Sequence, residues 1–198
     1  YDSVAAEHFP LTKAIKKSKL LWVGAAGNAH EEVKREHFYG CPANIGVLDN
    51  LIIATGGYSN HGPVAELNYG IEIADIVVNA EKPDQKGKFA SSYAAPRLTA
   101  LAAILARDYP QLGIKDIRLS ILLSAFIPNN IANPAHNDFL KVRSGGGLEP
   151  EKAKILAAKL AVEPDIISTY TKTTATLTKL HCGESVSDAA CLSRIKER

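Results

Sequence analysis

Gly87-Lys88-Phe89-Ala90-Ser91-Ser92-Tyr93-Ala94-Ala95-Pro96 sets a serine at the start of a helix made of small residues. From Ser92 to Tyr109 nearly every residue is a helix former, and Pro96 fits the first turn, where its missing N–H would have had no partner. The apolar set Ala94, Ala95, Leu98 and Ala100 to Leu105 goes round the whole circumference, which predicts a helix buried on all sides. The positive end of the helix dipole lies under Ser92 and favours an oxyanion there. Ser92 is therefore a candidate nucleophile, although this segment alone is read equally well with Ser91 or Ser92 as the N-cap of a core helix.

Upstream, Lys19-Leu20-Leu21-Trp22-Val23-Gly24-Ala25-Ala26-Gly27-Asn28 reads as a fully buried strand running into a glycine-bounded asparagine. An asparagine at the C-terminal end of a parallel strand has its amide where α/β sheets place their ligands. Taken alone, Asn28 is read more simply as a turn residue that tolerates positive φ.

Together the segments resemble the subtilisin-like serine proteases. In that family a strand ending Ala-Ala-Gly-Asn delivers the oxyanion-hole asparagine and Gly-Thr-Ser-Met-Ala-Ala-Pro delivers the nucleophile. Here these elements stand as Gly24-Ala25-Ala26-Gly27-Asn28 and Ala90-Ser91-Ser92-Tyr93-Ala94-Ala95-Pro96. Between them, Cys41-Pro42-Ala43, Asn50-Leu51-Ile52-Ile53-Ala54-Thr55-Gly56 and Tyr58-Ser59-Asn60-His61-Gly62-Pro63 follow in the family's order. Gly145-Gly146-Gly147-Leu148-Glu149-Pro150-Glu151-Lys152-Ala153 resembles the segment that closes its catalytic domain, giving six ordered landmarks. The departures are Ala90 for glycine, Ser91 for threonine, Tyr93 for methionine and Arg97 for the histidine after the proline.

The family's triad runs Asp, His, Ser, with the first two upstream of the asparagine. Only Asp2 and His8 precede Asn28, and neither lies in an Asp-Thr-Gly or His-Gly-Thr motif. The resemblance thus implies the C-terminal half of a catalytic domain, its acid and base carried by an N-terminal half. Without a general base Ser92 is a poor nucleophile at neutral pH. Of the remaining histidines, His30 lies two residues from Asn28, His61 occupies a structural family position, and His37, His136 and His181 read as solvated or capping residues.

Other chemistries find less support. His30-Glu31-Glu32-Val33-Lys34-Arg35-Glu36-His37 has Lys34 where a zinc protease needs its second histidine, so it reads as a charged exposed segment. Ser144-Gly145-Gly146-Gly147 lacks the Gly-Lys-Ser/Thr of a phosphate loop and leads into carboxylates, which suits a turn feeding a helix from Glu149 to about Leu160. The Gly-x-Ser-x-Gly elbow of an α/β-hydrolase is missing around Ser92. No cofactor is expected; the resemblance implies structural calcium, on loops too variable to assign.

The chain has 198 residues and a net charge of +2, enough to bury a sizeable core and with no basic, aromatic-interleaved run to bind nucleic acid. No apolar stretch approaches a membrane span. Cys182 and Cys191 are close enough in sequence to close a small loop, which would imply an oxidising compartment and a secreted rather than cytoplasmic protein; three unrelated thiols is the other reading.

The pattern predicts a helix at about Leu11 to Lys17, strands at Lys19 to Ala25, Leu51 to Thr55 and Ile73 to Asn79, then the Ser92 helix and helices near Ile114 to Phe126 and Glu149 to Leu160. Strands alternating with helices point to an α/β fold, and the resemblance to the three-layer subtilisin-like form with a mostly parallel sheet. Residues 1–160 are expected to form the partial catalytic domain and 161–198 a small extension. The expected function is hydrolysis of peptide bonds in a polypeptide substrate, with Ser92 attacking and the Asn28 amide and Ser92 N–H holding the oxyanion. The alternative is an inactive subtilase-like binding or structural module with Ser92 as a helix residue only.

Overall fold

Leu51-Ile52-Ile53-Ala54-Thr55-Gly56 is buried at every position, as a continuous apolar run in a parallel sheet must be. This strand, β2 (Leu51–Gly56), lies between β1 (Trp22–Ala25) and β3 (Ile76–Val78), and both pairings are parallel. The computed structural model describes residues 10–32, 42–45, 48–57, 67–70, 73–125, 142–144 and 146–163. Residues up to Ala157 form one unit; of the second, which starts at Ala158, only the end of a helix is described.

The two-residue period of β2 sorts its side chains into two cores. Ile52 and Ala54 join Ile76, Val78, Leu98, Leu101, Leu105, Ile117 and Ile121 on one face. Leu51 and Ile53 join Ile15, Ala43, Ile45, Ile73 and Val77 on the other. The first face is covered by α2 (Ser91–Asp108) with α3 (Ile114–Leu123) and the start of α4 (Pro150–Val162), the second by α1 (Pro10–Lys17) and a 3-10 turn at Ala43–Ile45. The sandwich of helices, sheet and helices is the α/β architecture the sequence predicts.

Beside the sheet, Asp75 is a buried carboxylate, 2% exposed. It accepts from the Ile53 amide at 2.8 Å, lies 3.5 Å from the Arg118 guanidinium and is bonded by Arg143. Arg118 also donates from Nε to the Leu51 carbonyl at 2.9 Å. Burial raises the Asp75 pKa above 3.8, against the opposing pull of Arg143, the Ile53 amide and Arg118. The Gly-rich segment extends the sheet: Val77 donates to the Gly146 carbonyl at 3.2 Å and Leu148 to the Val77 carbonyl at 2.8 Å.

Three local expectations are corrected. The Lys19 to Ala25 strand shortens to Trp22–Ala25 and is half-buried, with Leu20 64% exposed, because β1 has one paired neighbour among the described strands. The Ser92 helix begins at Ser91, so Pro96 lies inside it in the second turn rather than the first, and the helix is not buried on all sides. Its core face is Ser91, Ala94, Leu98, Leu101, Ala102 and Leu105, while Ala100, Ala103 and Ala106 meet solvent. Alanine exposes so little apolar area that such a face is tolerated. An antiparallel hairpin, β4 (Glu81–Lys82) with β5 (Gln85–Phe89), also precedes α2, where the charged sequence has no apolar alternation to announce it.

Candidate active site

β1 and α2 meet at their chemically informative ends. Past β1 the chain turns at Gly27, with φ at +103°, and exposes Asn28. α2 begins at Ser91 with Ala90 in the cap position, and no side chain caps it. Ser91 is buried and Ser92, the second residue of the helix, is exposed. Neither serine is therefore the cap residue.

The Ser91 hydroxyl reaches across to the β1 loop. It accepts from the Gly27 amide at 3.0 Å and donates to Asn28 Oδ1 at 3.0 Å, while the Ser91 backbone amide donates to the same oxygen at 2.7 Å. A backbone N–H can only donate, so the side-chain oxygen of Asn28 must face Ser91. Its NH₂ therefore points away and makes no hydrogen bond among the described residues. Ser92 Oγ likewise has no hydrogen bond among them.

The loop is held from beneath by Asn68, a residue the sequence reading passed over. Asn68 Nδ2 donates to the Ala26 carbonyl at 3.0 Å, and its Oδ1 accepts from Ala29 at 2.7 Å and from Glu31 at 3.3 Å. Its backbone amide donates to the Gly27 carbonyl at 3.1 Å, and its carbonyl accepts from the Thr55 hydroxyl. A Cβ at Gly27 would lie 2.5 Å from Asn68 Nδ2. Only the small, polar context of Gly27 hinted at such a partner, and nothing in the sequence pointed forty positions on.

Arg97, which follows Pro96, donates to the carbonyl of Asn79 at 2.6 Å and to its side-chain oxygen at 2.9 Å, tying the first turns of α2 to the end of β3. His30 is exposed in the left-handed region, φ +56°, with no hydrogen bond from its ring among the described residues. His8, His37, His61, His136, His181, Asp2, Cys41, Cys182 and Cys191 lie outside the described residues. Among the described residues no three His, Cys, Asp or Glu side chains gather as for a metal ion.

No family model matches the chain, and no curated protein sequence matches it. Solved structures do. The prenylagaramide maturation protease PagA is similar at 20% identity and TM-score 0.53 over 70% of this chain and 51% of its own. The subtilase cytotoxin SubAB gives 19% identity and TM-score 0.59 over 83% and 57%. The PatG macrocyclase in complex with peptide gives 19% identity and TM-score 0.55 over 74% and 47%. The chain thus spans about half the length of each, from 47% to 57%. With a parallel β1-β2-β3 sheet between helical layers and neighbours among subtilisin-like proteases and macrocyclases, the chain has the subtilisin-like α/β fold.

Proposed function

We propose that this chain carries the nucleophile and oxyanion hole of a serine peptidase acting on polypeptides. Ser92 attacks the scissile carbonyl, and the Asn28 side-chain amide and the Ser92 backbone N–H receive the oxyanion. The acid and base, Asp and His, come from a segment outside this sequence. The observation that carries the reading is the pair of bonds from Ser91 to Asn28 Oδ1, at 2.7 and 3.0 Å, which turn a donor outward next to an exposed serine at a helix N-terminus. A donor fixed before the reaction stabilises developing charge without reorganisation. The helix carries no acidic residue in its first turn to oppose that charge.

The test is a fluorophosphonate probe applied to the full-length gene product, read by intact mass and peptide mapping. One adduct at Ser92, abolished by Ser92→Ala, supports the peptidase. A folded full-length protein that takes no adduct sinks it and leaves the inactive binding or structural module.

A further inference from the structure

We infer that Asn68 is the positioning residue of this site, fixing the 26–31 loop so that the Asn28 amide faces Ser92. The inference rests on the peptidase reading for its catalytic consequence and on geometry for the rest. Asn68 is only 5% exposed, and both ends of its side-chain amide and both of its backbone groups are bonded to the loop or to the strand beneath it. Its Oδ1 gathers two amides, Ala29 and Glu31, that flank the turn after Asn28 and have no strand partner of their own. Its Nδ2 grips Ala26, the last buried residue before the turn. Asn68 therefore brackets Asn28 from both sides without a hydrogen bond to it, and the Thr55 hydroxyl anchors the clamp to β2.

The side chain required is narrow. An amide alone offers one acceptor for two N–H groups and one donor for a carbonyl in this shape. Gly27 is its complement, since the amide nitrogen occupies the space a Cβ would need. Loss of the clamp hands the Ala29 and Glu31 amides, on exposed residues, to water and leaves the buried Ala26 carbonyl without its partner, which the loop relieves by moving. A shift of about 1 Å in an oxyanion donor costs on the order of 10²-fold in turnover.

Asn68→Ala and Asn68→Asp test this in the full-length protein, with amide hydrogen exchange at Ala29 and Glu31 measured against core amides such as Leu105. In Asn68→Ala, exchange at Ala29 and Glu31 should rise by about tenfold or more beyond the change at the core. kcat should fall by about 10²-fold with KM within about twofold. Asn68→Asp keeps the acceptor and regains the donor only when protonated, so its kcat relative to wild type should recover as pH falls. This second variant keeps the test decisive if the alanine variant fails to fold. Unchanged exchange at Ala29 and Glu31, or faster exchange with unaltered kcat, overturns the inference. A wild-type protein without an adduct at Ser92 overturns the peptidase reading instead, and the exchange rates still decide whether Asn68 holds the loop.

Discussion

Ser91 donates twice to one oxygen of Asn28, from its amide at 2.7 Å and its hydroxyl at 3.0 Å, although the residues are 63 positions apart. The pairing leaves the asparagine a single orientation. Ser91 thereby fixes an amide that is remote from it in sequence.

Asn28→Asp separates orientation from donation. The carboxylate keeps an oxygen for Ser91 and puts another where the NH₂ group was, so thermal unfolding should change little. On the proposed peptidase role, kcat of the full-length protein should drop at least about 10²-fold, the scale known for an oxyanion-hole asparagine in subtilisin, with KM nearly constant. Equal losses in kcat and 1/KM would argue against the oxyanion role.

Ser91→Ala removes the acceptor of the half-buried Gly27 amide and one of two donors to Asn28. Leaving that amide unsatisfied should cost about 1–3 kcal/mol, read as a lower urea midpoint at unchanged slope. A variant as stable as wild type would mean that water replaces the hydroxyl.

Gly27 and Gly87 both have positive φ, +103° and +80°, but differ in their surroundings. A Cβ on Gly87 meets nothing within 4 Å, so Gly87→Ala should cost only the backbone term, about 1–2 kcal/mol. Gly27→Ala adds the collision with Asn68 and should be clearly worse by denaturant unfolding. Equal midpoints for the two variants would contradict the close approach.

Asp75 sets a pH dependence. Its pKa is raised above 3.8 by burial, so the folded state binds the proton more tightly than the unfolded chain. Between 3.8 and the folded pKa the unfolded state holds fewer protons, and stability falls as pH rises through that window. Asn at this position cannot titrate, so the stability of wild type minus that of Asp75→Asn should decline from acid towards neutral pH. A difference that grows with pH would reverse the assigned direction.

Much of the fold could be read along the chain because β2 is a nearly continuous apolar run and α2 is a long run of helix formers that starts just after Ala90. The order of strands and helices follows from such runs. What escaped was set by partners remote in sequence. Whether the apolar ring of α2 is buried depends on which side meets the sheet, and the hairpin before it is mostly polar and charged, with no apolar alternation. The proposed site reads in the sequence as two separate motifs, one holding Asn28 and one Ser92, whereas Ser91 reads there only as a helix cap and Asn68 carries no local signal. Each is tied to the 26–31 loop by hydrogen bonds across 37 to 64 positions, which no local spacing encodes.

The bond from Gly27 to Ser91 spans 64 positions, so it forms only when β1, β2 and α2 have all docked. Closures of that length come late in folding, because their entropy must be met by contacts already made. A nascent or partly opened chain holds the serine and the asparagine with no geometry between them. Whatever chemistry the pair performs is therefore switched on by the completion of folding and lost at its first reversal, a safeguard written into chain connectivity.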